Sequence, residues 1–188
     1  MTGVALQEYA RSILTHVPWV HWVVMLVVSL ALTAILLIRK RHSVYCAICF
    51  GITVLVGLFL FDAAVVIRWG DGLANWTGFG IAEELHRFLD GKMVRWAEMF
   101  ANIAVFVPFG FFLSEFLSTT KRFSARRQIG RVALAALGLS LCIESLQLIF
   151  RLGVFEITDL VLNTLGGFVG ALMSVGVRKV VGEWCHWH

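Results

Sequence analysis

Glu144, Gln147 and Arg151 follow one another at intervals of three and four residues in one apolar run, and Asp159 and Asn163 stand four apart in the next. Helical periodicity puts each set on a single stripe of its helix. Side chains of these types suit two kinds of chemistry. A guanidinium flanked by amides holds an anionic or amide-rich head group, with Arg151, Asn102, Gln147 and Asn163 as binders. Glu144 and Asp159 then orient those groups or accept donors from the ligand. Alternatively, a carboxyl withdrawn from water works as a general acid or base, with Glu144 and Asp159 the candidates. No nucleophilic Ser or Cys beside a His and no His pair with metal-ligand spacing accompanies the cluster, so neither a metal nor a cofactor is implied. A purely structural reading also stands, in which Arg151 pairs with Asp159 or Glu144 and the amides satisfy freed carbonyls.

The elements that must position these groups are apolar. The 188-residue chain is 59% hydrophobic and only 15% charged, with a mean hydropathy of +0.84. That excludes an ordinary soluble domain. Five runs, at 19–38, 44–67, 97–118, 132–150 and about 158–177, are long enough to cross a bilayer core of roughly 30 Å. The expected fold is therefore all-α: a polytopic bundle of five transmembrane helices. An Asp or Arg at the centre of such a helix costs about 2.5–3.5 kcal/mol on insertion scales. Groups this costly point to use.

Ten of the sixteen Lys/Arg fall between or after spans on one side: Arg39, Lys40, Arg41, Lys121, Arg122, Arg126, Arg127, Arg131, Arg178 and Lys179. The positive-inside rule makes that side cytoplasmic, with the N-terminus outside and the C-terminus inside, and the expected location is the plasma (inner) membrane. The net charge of +4 is thus a topology signal that also favours anionic lipid, and no nucleic-acid partner is implied.

Counted from the expected outer ends, Asp62, Asn102, Glu144 and Asn163 lie at one level, about 6–9 Å inward. Glu98, Asn102, Phe106, Phe109 and Leu113 share a face of the third span, and Pro108 should kink it. Gly166, Gly167 and Gly170 continue the Asp159–Asn163 face and allow close helix approach. The picture is an outer cup with a charged rim, an amide wall and an aromatic and glycine floor. The cytoplasmic half is expected to be apolar except for Glu115, which disfavours a transport path. A short amphipathic helix at 81–89 is expected to lie at the interface over the cup. Cys46, Cys49 and Cys142 are expected to be small buried hydrophobes, and the C-terminal Cys185, His186 and His188 a frayed end rather than a metal site.

Asn102-x-x-x-Phe106-x-Pro108-Phe109-Gly110-Phe111 resembles the signature helix of the VanZ-like family. Glu144-x-x-Gln147, then Phe155-Glu156-Ile157-x-Asp159-x-x-x-Asn163-Thr164-x-Gly166, is similar to its second and third blocks in order and spacing. The resemblance covers about 96–173, and the first two spans only in general architecture. Two departures stand out: Thr158 where a second aspartate is frequent, and Gly153 where many members carry an arginine that nearby Arg151 could replace. The resemblance implies Pro108, Gly110, Gly166, Gly167 and Gly170 as structural positions and a cell-envelope role. The family's namesake gives low-level resistance to teicoplanin, a lipid-tailed glycopeptide.

The chain is accordingly divided into an N-terminal lead and hairpin (1–67), an extracytoplasmic loop (68–96), a three-helix core (97–177) and a cytoplasmic tail (178–188). The expected function is an envelope protein that binds an amphipathic, lipid-linked or lipid-tailed ligand at its outer-leaflet cup, among membrane lipids as partners. An intramembrane enzyme acting on a lipid-linked precursor, or a lipid flippase, is the alternative. The pattern sets no oligomeric state.

Overall fold

The computed structural model describes residues 18–38, 43–66, 93–120, 124–152 and 155–186, with the backbone alone for 66, 93–98 and 181–186. It is all-helical, and its five long helices are each apolar enough to cross a membrane. The helices are α1 (Trp19–Ile38), α2 (Val44–Phe61), α3 (Met93–Thr120), α4 (Ala125–Ile149) and α5 (Ile157–His186). The stretch at 81–89, the polar lead and Gly153 lie outside the described residues, as do the side chains of Glu98 and of the C-terminal Cys185, His186 and His188.

Hydropathy locates the hydrocarbon-crossing part of each helix rather than its ends. Helix α4 begins seven residues before the expected span, since Ala125 precedes Val132 by that count. Its first turn carries Arg126 and Arg127, which belong at head-group level and depress the apolar signal. Helix α5 likewise runs on through Arg178 and Lys179. Helix α3 continues through Pro108 without a break in its assignment.

Helices α3, α4 and α5 form the core, and α3 against α5 is the most extensive interface. Helix α2 packs on α3, and α1 packs on α2. Along α1, Val20, Val23, Val24, Val27, Leu30 and Ile35 are exposed, the outward face of a helix that meets lipid. The apolar centre joins Leu60, Phe106, Phe109, Ala136 and Ile143 from three helices, α2, α3 and α4, to Val65 and Leu152.

Association inside a bilayer relies on close packing, because lipid tails are as apolar as leucine. The α3–α5 seam achieves it with backbone against backbone. A Cβ on Gly110 would collide with the Gly167 carbonyl, one on Gly166 with the Ile103 carbonyl, and one on Gly170 with the Val107 carbonyl. A Cβ on Gly167 would stand 2.5 Å from Ala136 Cβ on α4. Gly167 is therefore the point where all three core helices touch, which is the close approach expected of this glycine set.

A turn of π-helix, Asp62–Val66, follows α2. At its first residue, Asp62, an ion pair reaches α1: His21 Nδ1 stands 2.9 Å from one Asp62 carboxylate oxygen and 3.1 Å from the other. Asp62, placed by the sequence at the depth of the polar layer, bonds across the α1–α2 contact. Farther along that contact, Ser29 Oγ donates to the Gly51 carbonyl at 2.6 Å. Cys46 and Cys49 are buried as expected; Cys142 is exposed among the described residues, contrary to expectation, on the side of α4 that also exposes Leu134 and Leu141.

Candidate functional site

The polar residues singled out on α3, α4 and α5 converge at one end of the bundle, each with a definite partner. Asn102 Nδ2 of α3 donates to Asp159 Oδ1, in the first turn of α5, at 2.6 Å. Glu144 is 3% exposed, and its Oε2 accepts the backbone N–H of Glu156 at 2.9 Å. Glu156 immediately precedes α5, so Glu144 holds the entry of that helix, where negative charge opposes the positive end of the dipole. Gln147 Nε2 donates to the Ala64 carbonyl at 2.9 Å, satisfying an acceptor within the π-turn. One turn deeper, Asn163 Nδ2 donates to Ser140 Oγ at 2.9 Å. The arrangement is a stack of interhelical ties, with Glu144, Gln147 and Asn163 buried and Asn102 and Asp159 half-buried.

Arg151 differs from the rest. The N–H of Leu152 bonds the Gln147 carbonyl at 2.8 Å, and the N–H of Arg151 bonds that of Leu148 at 3.2 Å. This paired pattern is the Schellman ending of a helix, whose turning residue adopts the left-handed conformation and is usually glycine. Here that residue is Arg151, with φ 57°. Its side chain is exposed and, among the described residues, makes no hydrogen bond or ion pair. The anticipated pairing of Arg151 with Asp159 or Glu144 is therefore not formed. Leu152, the next residue, folds back into the apolar core.

The VanZ/LLP1 family model matches residues 68–178, more than half of the chain. The chain belongs to the VanZ/LLP1 family. The match begins well before the signature helix, so the family likeness includes the 68–92 segment as well as α3, α4 and most of α5. Protein VanZ of Enterococcus faecium is 39% identical over 75 residues, a stretch covering 39% of this chain and 41% of that protein. The alignment thus spans about two-fifths of the length of that relative. No solved structure matches the chain.

A second polar cluster occupies the opposite end, contrary to the expectation of an apolar half with a solitary glutamate. Glu115 of α3 is 3% exposed. Its Oε2 accepts from Tyr45 OH at 2.8 Å, and its Oε1 from Ser174 Oγ at 2.6 Å and Arg178 Nη1 at 2.9 Å. Gln128 Nε2 of α4 donates to the Ser114 carbonyl at 2.6 Å and to Ser114 Oγ at 2.7 Å, and the Ser114 and Ser174 hydroxyl oxygens lie 2.8 Å apart. One signal for this cluster was present in the sequence. Ser174 and Arg178 extend the Asp159–Asn163–Gly166–Gly170 stripe by two more turns at four-residue spacing. Gln128 was hidden because hydropathy left it in a loop. Among the described residues, no group of three or more His, Cys, Asp or Glu could hold a metal ion.

Proposed function

We propose that this VanZ-family protein is a multi-pass protein of the plasma membrane, with its N-terminus outside, and that its outer end binds the head group of an amphipathic envelope ligand. Through that binding it contributes to resistance against the lipid-tailed glycopeptide teicoplanin. In this reading Arg151 and the Asn102–Asp159 pair contact the head group. Glu144, Gln147 and Asn163 hold the helices that present them.

One observation carries the proposal: an arginine with an exposed side chain occupies a left-handed backbone position where glycine would be free of strain. Holding a residue with a Cβ in that conformation costs about 1–2 kcal/mol, so the position argues for a use of the guanidinium. Guanidinium is the side chain suited to a carboxylate, phosphate or other anionic head group.

The test is the teicoplanin susceptibility of cells making equal amounts of wild type, Arg151→Gln, Asp159→Asn or no protein. The variants are expected to fall to the level of cells without the protein. Full protection by both would refute the assignment of the outer end.

A further inference from the structure

We propose that Arg178, held in place by Glu115 and Ser174, forms a second head-group site, for a phosphate group, on the membrane face opposite Asp159. The two residues are nineteen apart on α5, about 28 Å along a helix and close to the thickness of a bilayer core. With Asp159 at one head-group level, Arg178 stands at the other.

The cluster is built to fix a guanidinium. Glu115 is withdrawn from solvent in a membrane-spanning helix, an unfavourable place for a carboxylate unless it is fully bonded. Donors from two other helices supply that bonding: Tyr45 from α2, with Ser174 and Arg178 from α5. Gln128 ties α4 to the same group through Ser114. All four helices from α2 to α5 thus meet around one charge.

Arg178 commits only Nη1 to this network, to Glu115 and to Ser174 Oγ, each at 2.9 Å. Among the described residues no acceptor engages Nε or Nη2, and the side chain is 31% exposed. An internal ion pair alone would be served by a lysine. A planar fork with one arm anchored and one edge left outward is suited to a tetrahedral oxyanion. Phosphate is the anion that lies at this depth in a bilayer. Lys179 and the exposed Arg126 and Arg127 of α4 add local positive potential without completing the fork. The inference does not rest on the outer-end reading, and the ligands of the two sites need not be the same molecule.

The source of the phosphate separates in one experiment on the purified full chain. Retention of phosphatidylglycerol against phosphatidylcholine is measured by native mass spectrometry, with glycerol 1-phosphate as a soluble competitor. Wild type is expected to retain phosphatidylglycerol selectively. Arg178→Gln should lower that retention about tenfold, the loss of a charge-assisted hydrogen bond. Lys179→Gln, which removes a neighbouring charge but leaves the fork, should lower it far less. Displacement by glycerol 1-phosphate identifies a free phosphate ester as a sufficient ligand, and its failure to compete identifies the lipid. If Arg178→Gln does not fold, Arg178→Lys retains the cation beside Glu115 but removes the fork, and should lose the selectivity. Undiminished retention in the Arg178 variant that folds, or an equal loss in Lys179→Gln, would overturn the site in favour of diffuse charge. Absence of selectivity in the wild type would also overturn it.

Discussion

Replacing Arg151 by glycine separates what its backbone does from what its side chain does. The residue closes α4 at φ 57°, and the bonds on either side of it, 3.2 Å to Leu148 and 2.8 Å from Leu152 to Gln147, need only main-chain atoms. Glycine adopts this conformation without the Cβ penalty, a relief of about 1–2 kcal/mol. It also widens the unfolded ensemble, which takes back about 0.4–1 kcal/mol. The balance is a gain of about 0.5–1 kcal/mol, or roughly 2–4 °C in melting temperature for each kcal/mol in a chain of this size. Arg151→Gly should therefore melt slightly higher than wild type in detergent, by differential scanning fluorimetry, while losing teicoplanin protection in cells. Arg151→Lys should melt like wild type and keep part of the protection, since it retains charge but not the fork. A lower melting temperature for Arg151→Gly would refute the backbone argument. Full protection by the same variant would refute the argument that the guanidinium is why arginine stands there.

The other predictions concern the ties that hold this end and the seam beneath it. Gly110→Ala should lower stability by about 1–3 kcal/mol in thermal melts, because the new methyl meets Gly167 backbone that cannot step aside. Gly138→Ala, where a Cβ meets nothing within 4 Å, should be neutral or stabilising by up to about 1 kcal/mol. Gln147→Leu removes the donor to Ala64 and should cost about 1–3 kcal/mol, with faster hydrogen exchange at 62–66. Glu144→Gln retains an oxygen that can accept from the Glu156 N–H, so melting and teicoplanin protection should both stay near wild type. Loss of protection at unchanged melting would instead favour Glu144 as an acid–base group.

The five spans were legible because hydrocarbon imposes a length and an apolar composition that any residue scale detects. The glycine seam was legible for a related reason: glycines recurring on the Asp159–Asn163 face have little use in a membrane helix except close contact. Partners were harder. Glu144 and Gln147 bond main-chain atoms of Glu156 and Ala64, and a backbone donor or acceptor has no signature in side-chain spacing. Asp62 could be placed by depth but not by partner, because His21 comes from another helix forty-one residues away. Glu115 looked solitary because its partners come from 45, 174 and 178, on two other helices.

These ties also bear on where a ligand can be held. Among the described residues, no buried side-chain nitrogen or oxygen lacks a hydrogen-bond partner. That is the condition a bilayer enforces, since hydrocarbon offers nothing in exchange for a lost bond. A head group entering between α4 and α5 at the level of Asn163 would have to break the bond to Ser140, and one entering between α3 and α5 would meet glycine backbone already in contact. Among the described residues, two arginines with uncommitted donors stand instead at the two ends of the same seam. Arg151 stands just before α5, and the outer edge of Arg178 lies near its far end. The two proposed sites accordingly lie at head-group depth, one on each face, which leaves acyl chains against the exposed apolar flanks. A structure with lipid bound should find density for phosphate or carboxylate beside these arginines and none within the glycine contact.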